Sequence, residues 1–194
     1  MDLVFATNNK NKLKEIKHII VDKINILSIN DLNHSNDLEE TGLTLKDNAS
    51  QKARFIYKKF NKNCFADDSG LEILSLNNEP GVFSARYAGL NCSADDNMNK
   101  VLKKLESIKN RNAIFKTVIC LILDGKEYFF EGSIEGIITN EKIGHNGFGY
   151  DPIFRPNNFN LTFAQMSVNE KSKISHRAIA VSKFVKFINQ RFAS

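Results

Sequence analysis

Apolar residues recur along this chain with two periods, and the changes of period mark its elements. Residues 3–6, Leu-Val-Phe-Ala, form a short apolar run of buried-strand length. From residue 12 to about Val21 the spacing lengthens, and Leu13, Ile16, Ile19 and Ile20 fall on one side of a helix. Leu45, Ala49, Ala53, Ile56 and Phe60 make the stripe of a second helix over residues 45–60. Ser93-Ala94-Asp95-Asp96 has the form of a capping box, opening a helix through Met98, Val101, Leu102 and Leu105. Residues 113–123 and 126–139 are long and β-rich, and the Asp124-Gly125 pair between them predicts a hairpin. Ser175 is placed to open a last helix, with Val181, Phe184, Val185, Ile188 and Phe192 toward the core. Helices interleaved with single strands, plus one long hairpin, predict an α/β fold with a mixed central β-sheet flanked by helices.

One stretch breaks this pattern. In Cys64-Phe65-Ala66-Asp67-Asp68-Ser69-Gly70-Leu71-Glu72-Ile73, two carboxylates interrupt an apolar run that reads as a buried strand. Asp, Ser and Gly are turn formers, so a solvated turn is the ordinary reading of the segment alone. A strand interior is a costly place for two charges, and that cost calls for a reason. If the strand continues, neighbouring residues point to opposite faces, so Asp67 and Asp68 serve different purposes.

Composition narrows the class. The chain has 194 residues, 42% hydrophobic and 25% charged, and no Pro/Gly/Ser linker divides it; a single domain over 1–194 is expected. No apolar run is long enough to span a bilayer, and Met1-Asp2 begins no signal peptide, so a cytoplasmic protein without a membrane partner is expected. Cys64, Cys92 and Cys120 form no CxxC pair, which argues against a zinc site or disulfide framework. A formal charge of +5 favours anionic partners, without separating a nucleotide from a nucleic acid.

Four segments have the residues for such a partner. "LVFATNNKNKLKEI" is strand, polar loop and helix, an order that turns helix N–H groups toward an anion, with Thr7, Asn9 and Lys12 alongside. It lacks the GxxxxGK[ST] pattern of a P-loop. "LEETGLTLKDNASQKA" sets Glu39 and Glu40 before a helix; they are dipole partners unless the fold carries Glu40 to Asp67 and Asp68, where oxygen-only ligands suit magnesium. "KIGHNGFGYDPIF" places glycines around His145, Phe148, Tyr150 and Asp151, either an Ω-loop packed on its own aromatics or a loop offering Phe148 to a planar base. "NEKSKISHRAIA" gathers Lys171, His176 and Arg177 near a helix start, where positive charge opposes the macrodipole.

These segments together, with "PGVFSARYAG", resemble the inosine triphosphate pyrophosphatase family almost end to end. The motifs "TNNKNK", "EETGLT…NA…KA", "ADDSGL", "GFGYDPIF" and "EKSKISHR" stand in that family's order. The resemblance implies two lobes with the nucleotide in the cleft between them, a homodimer, and magnesium-dependent attack of water on the α-phosphate. It implies ITP, dITP and XTP as substrates, and a nucleoside monophosphate and pyrophosphate as products. Residue by residue it implies that the loop Thr7, Asn8, Asn9, Lys10, Asn11 and Lys12 binds substrate, with Thr7, Asn9 and Lys12 on the triphosphate. It implies Glu40 and Asp68 on the metal, Asp68 also as proton acceptor, and Ser69 on substrate. Phe148, Gly149, Tyr150 and Asp151, with Lys171, His176 and Arg177, would form the base and sugar pocket. Arg177 has donors only, which suits the six-carbonyl of hypoxanthine and xanthine and excludes the amino group of adenine.

The chain departs from the family at Asn8 and Asn11, where glycine is usual, and at Gln165, where an acid is usual. Two alternatives stay open: a pyrophosphatase for other nucleoside triphosphates, and a basic nucleic-acid-binding protein. The second has no recognised nucleic-acid module in its support.

Overall fold

Period-two alternation gives each strand two faces, and a sheet built from such strands carries the site residues. The computed structural model describes residues 1–20, 24–34 and 36–192. Its strands are β1 (Asp2–Phe5), β2 (Asn25–Ser28), β3 (Cys64–Ile73), β4 (Glu79–Gly81), β5 (Asn112–Leu123), β6 (Lys126–Ile138) and β7 (Phe154–Pro156). They form one sheet in the order β2-β1-β3-β5-β6-β7, with β4 on β3. β1 is parallel to β2 and β3, whereas β4 and β7 are antiparallel to β3 and β6, so the sheet is mixed as expected. The helices are α1 (Lys10–Ile19), α2 (Leu45–Phe60), α3 (Ala94–Lys104), α4 (Val168–Ile174) and α5 (His176–Arg191).

The chain divides into two compact units, one of Met1–Asp68, Thr117–Gly132 and the chain from Arg177 onward, the other of Ser69–Lys116 and Ser133–His176. Every boundary falls within β3, β5, β6 or α5, which is why no linker composition marks it. In the first unit, Leu3, Phe5, Phe65, Ile119 and Leu121 face α1 and α5 through Ile16, Val181, Phe184 and Ile188. Their neighbours Val4, Ala6, Cys64, Ala66 and Cys120 face the opposite way, against Ala49, Ala53 and Ile56 of α2. In the second unit, Phe115 is central: its ring meets Phe154 at 4.8 Å and lies flat on His176 at 4.5 Å.

Local chemistry sets the element ends. Thr44 caps α2 through Asp47 N, and Asn61 closes it in the left-handed conformation. Ser93 and Asp96 form the predicted capping box of α3. Asp124 and Gly125 take φ of 50° and 78°, the turn a tight hairpin needs.

Two expectations need correction, and one element adds to those expected. α1 starts at Lys10, earlier than the apolar pattern, because Asn9 caps it; its expected end at Val21 lies outside the described residues. The last helix opens after Ser175 as expected, but a further short helix that the apolar pattern does not mark precedes it. A capping box of Ser167 and Glu170 opens α4, and Ser175, extended at φ −65° and ψ 156°, ends it before α5 begins. Phe192 follows the end of α5 and is 52% exposed, so it does not join the core.

Candidate active site

β3 passes through the Asp-Asp pair without turning, so both carboxylates are buried in a strand, at 0% and 6% exposure. Their surroundings differ. Asp67 meets Lys12 Nζ at 3.1 Å and Arg177 Nε at 3.2 Å, and Arg177 in turn pairs with Glu15. Burial works against the Asp67 charge, but Lys12, Arg177 and Lys52 outweigh it and hold the carboxyl well below the usual carboxylate range. Asp68 accepts a hydrogen bond from Asn48 Nδ2 at 3.0 Å. Burial pushes the Asp68 pKa up, and the nearby Glu40 charge adds to this against the pull of Lys52 and Lys12. Two adjacent carboxyls are thereby given opposite tendencies, one fixed as an anion and the other ready to take a proton.

Asn48 and Lys52, the polar residues of the NA…KA motif, have no role assigned by the sequence alone. Lys52 is buried and donates to Glu40 Oε1 at 2.5 Å and to the Asp67 carbonyl at 2.7 Å. Burial disfavours its charge, but Asp68, Glu40 and Asp67 together raise its pKa. The signal was present: Asn48 and Lys52 stand one turn apart beside Ala49 and Ala53, polar residues on the buried face of α2. Glu15, one turn beyond Lys12 on α1, was missed as well.

The N-terminal loop is more self-satisfied than expected. Asn9 Oδ1 accepts the N–H groups of Asn11 and Lys12 at 2.9 and 3.2 Å, so these helix donors are already engaged. Thr7 Oγ1 accepts the Asn9 N–H at 3.2 Å. Asn8 Nδ2 donates to Asn36 O and Asp37 Oδ1, while Lys10 and Asn11 are exposed. Neither Asn8 nor Asn11 has a positive φ, so asparagine in place of glycine strains nothing here.

In the second unit, Asp151 organises the glycine-rich loop. Its Oδ2 accepts the Phe148 N–H at 2.7 Å and the Lys171 ammonium at 2.6 Å. Lys171 Nζ also sits 5.0 Å from the centre of the Phe148 ring. Gly147 has φ +74°, and a Cβ there would stand 2.0 Å from Asp151 Oδ2, so only glycine lets Asp151 reach under the loop. Gly149, at φ +62°, has open space instead. Tyr150 is buried with its hydroxyl on Ser84 O at 2.8 Å. Ser69 is half-buried on β3, next after Asp68. Gln165 Oε1 accepts the Thr162 N–H at 3.0 Å, a bond an acid would make equally well.

Lys171, His176 and Arg177 each have partners within their own unit. Lys171 joins Asp151 and Phe148, His176 is buried against Phe115, and Arg177 is committed to Asp67 and Glu15.

Among the described residues no group of three or more His, Cys, Asp or Glu is arranged to hold a metal. Glu40 and Asp68 nevertheless offer oxygen donors only, and the buried Asp68 favours a nearby cation. Two carboxylates of this kind fit a hard divalent ion that keeps several of its waters.

A model of the Ham1 family matches residues 3–187. A dITP/XTP pyrophosphatase of Flavobacterium johnsoniae is 54% identical over 95% of this chain and 96% of its own length. One of Flavobacterium psychrophilum is 50% identical over 96% and 98%. The solved Ham1 protein of Staphylococcus aureus superposes with a TM-score of 0.89 at 41% identity, covering 98% of this chain and all of that one. With nearly every residue of the sheet and of the carboxylate cluster inside the matched range, the chain belongs to the Ham1 family.

Proposed function

We propose that the protein hydrolyses noncanonical purine nucleoside triphosphates (dITP, ITP, XTP and dXTP) to the monophosphate and pyrophosphate, and so cleanses the nucleotide pool. The observation that carries this reading is the split between Asp67 and Asp68. A cation-locked carboxylate beside one of raised pKa suits a reaction in which phosphate charge is held while water loses a proton. The substrate class follows the relatives' names.

In this mechanism the water oxygen bonds to the α-phosphorus, the bond from that phosphorus to the bridging oxygen breaks, and pyrophosphate leaves with the bond's electron pair. Asp68 takes the proton from the water. Lys12 and Lys52 stabilise charge on the phosphoryl oxygens, and Asp67 holds Lys12 in place for this. Thr7 to Lys12 would line the triphosphate, and Ser69 would touch substrate. Phe148 would stack on the base, with Gly149 and Asp151 beside it and Lys171 above; Tyr150 and His176 are buried and would support that pocket from behind. Glu40 and Asp68 would hold magnesium, which when bound neutralises phosphate charge.

The decisive experiment is pyrophosphate release from dITP, XTP and ATP, with and without magnesium. Release from dITP and XTP far above ATP, lost on chelation, is the expected result. Equal release from ATP would point to a pyrophosphatase of other substrates. Salt-sensitive RNA binding without turnover would point to a nucleic-acid-binding protein. A cytoplasmic homodimer completes the proposal, and a single 22.0 kDa species in sedimentation at micromolar concentration would end that part of it. Among the described residues no helix is long and apolar enough to cross a membrane.

Lys12→Ala is expected to raise KM and lower kcat together, because phosphate charge is more demanding in the transition state. Loss of a charge-assisted hydrogen bond corresponds to about 10–100-fold in kcat/KM. Inosine, without phosphates, should bind both proteins alike. Unchanged kinetics would reduce Lys12 to a structural partner of Asp67.

A further inference from the structure

The segment PGVFSARYAG, residues 80–89, takes no part in the steps above, yet within the second unit it is tied to the glycine-rich loop. Ser84 is the knot. Its hydroxyl accepts the Leu71 N–H at 2.9 Å and donates to the Gly81 carbonyl at 2.6 Å, fixing it to β3 and β4. Its carbonyl accepts the Tyr150 hydroxyl at 2.8 Å. Both residues are buried, at 8% and 5% exposure, so water is a poor substitute for these bonds.

The Tyr150 ring belongs to an apolar cluster with Leu71, Phe115 and Ile153. Phenylalanine would pack there without a hydroxyl to satisfy, so the hydroxyl is explained by what it holds. Two residues back lies Phe148, across Gly149, whose missing side chain leaves open space. Asp151, next after Tyr150, bonds the Phe148 N–H. A shift of Tyr150 therefore reaches Phe148 along the backbone and through Asp151.

We propose that Ser84 is a positioning residue which, through Tyr150, holds the Phe148 ring in register for the purine base, so that residues 80–89 set nucleotide affinity without touching substrate. The proposal rests on the reading of Phe148 as the stacking face.

The test combines amide hydrogen exchange over residues 143–153 of the substrate-free protein with KM and kcat for dITP. Loss of one buried hydrogen bond corresponds to about tenfold. Tyr150→Phe and Ser84→Ala are each expected to speed exchange and raise KM by about that factor, with kcat changed less than about twofold. Ser84→Thr, which keeps the hydroxyl, should restore both. The double variant should be no worse than its worse single, since both act through one link. Unchanged exchange in Tyr150→Phe overturns the positioning role. Faster exchange with unaltered KM overturns its link to the nucleotide. Phe148→Ala with unaltered KM removes the stacking reading itself, and the proposal with it, while the exchange result still reports whether the knot holds the loop.

Discussion

Asp68→Asn is expected to lower turnover by at least about 10²–10⁴-fold, the contribution of one positioned acid or base, in a protein that remains folded. The amide keeps the shape of the carboxyl, and its oxygen can still accept from Asn48 Nδ2. It loses the charge toward magnesium and the capacity to take a proton from water. Stability should move the other way. Burial raises the Asp68 pKa, so the folded protein binds this proton more readily than the unfolded chain does. Stability from this group is then fullest below the unfolded value of about 3.9 and is lost as pH rises through the folded value. At pH 7 the ionised side chain is a burden that asparagine removes. In metal-free buffer at pH 7 the variant should therefore melt at or above the wild-type temperature. Turnover above a tenth of wild type would take Asp68 out of the proton-transfer step. A lower Tm would show that its charge is better compensated than burial implies.

The elements that could be read in the sequence are those whose ends and faces are locally encoded. α2 runs over the expected Leu45–Phe60 because Thr44, Asn61 and a regular stripe all agree. The β5–β6 hairpin follows from Asp124-Gly125, and the opposite facing of Asp67 and Asp68 from the pleat alone. What escaped was decided by partners far along the chain. Arg177 meets Asp67 from 110 residues away and Glu15 from 162, so no local pattern announces either pair. Lys171, His176 and Arg177 are close in sequence, but the extended backbone at Ser175 ends α4 after Lys171, while His176 and Arg177 open α5 with partners that no local pattern names. α4 itself is short and lacks an apolar stripe, leaving only its capping box as a sign. Lys52 and Asn48 could have been given a role by treating a polar residue inside an apolar stripe as a site residue.

The pairing of Arg177 with Asp67 and Glu15 gives its removal an expected effect beyond base selection. Read from sequence, Arg177→Ala would collapse the preference for ITP over ATP, because a donor-only side chain suits a six-carbonyl. In the structure Arg177 is 2% exposed, with Nε on Asp67 Oδ2 and Nη1 on Glu15. Removing it strips a cation from two carboxylates, one of them fully buried. Breaking a buried pair in this way costs about 3–5 kcal/mol. At about 2–4 °C per kcal/mol for a chain of this length, Tm should fall by about 6–20 °C at pH 7. The pH dependence gives the sign. Asp67 is held below the usual range, so its ionised form contributes stability above the unfolded value of about 3.9, lost as pH falls toward the folded one. The Arg177 contribution depends on that charge, so the gap in Tm should be widest near pH 7 and narrow toward pH 4 and below. Arg177→Lys keeps a cation but not the fork that reaches both carboxylates, and should recover part of the loss. The ratio of kcat/KM for ITP to that for ATP is expected to stay within about twofold of wild type in Arg177→Lys. That bound lies far inside the 10⁴–10⁵-fold that a lost base-reading hydrogen bond can command. A collapsed ratio with an unaltered Tm would return Arg177 to the base, and would mean that the Asp67 and Glu15 pairs give way when nucleotide binds.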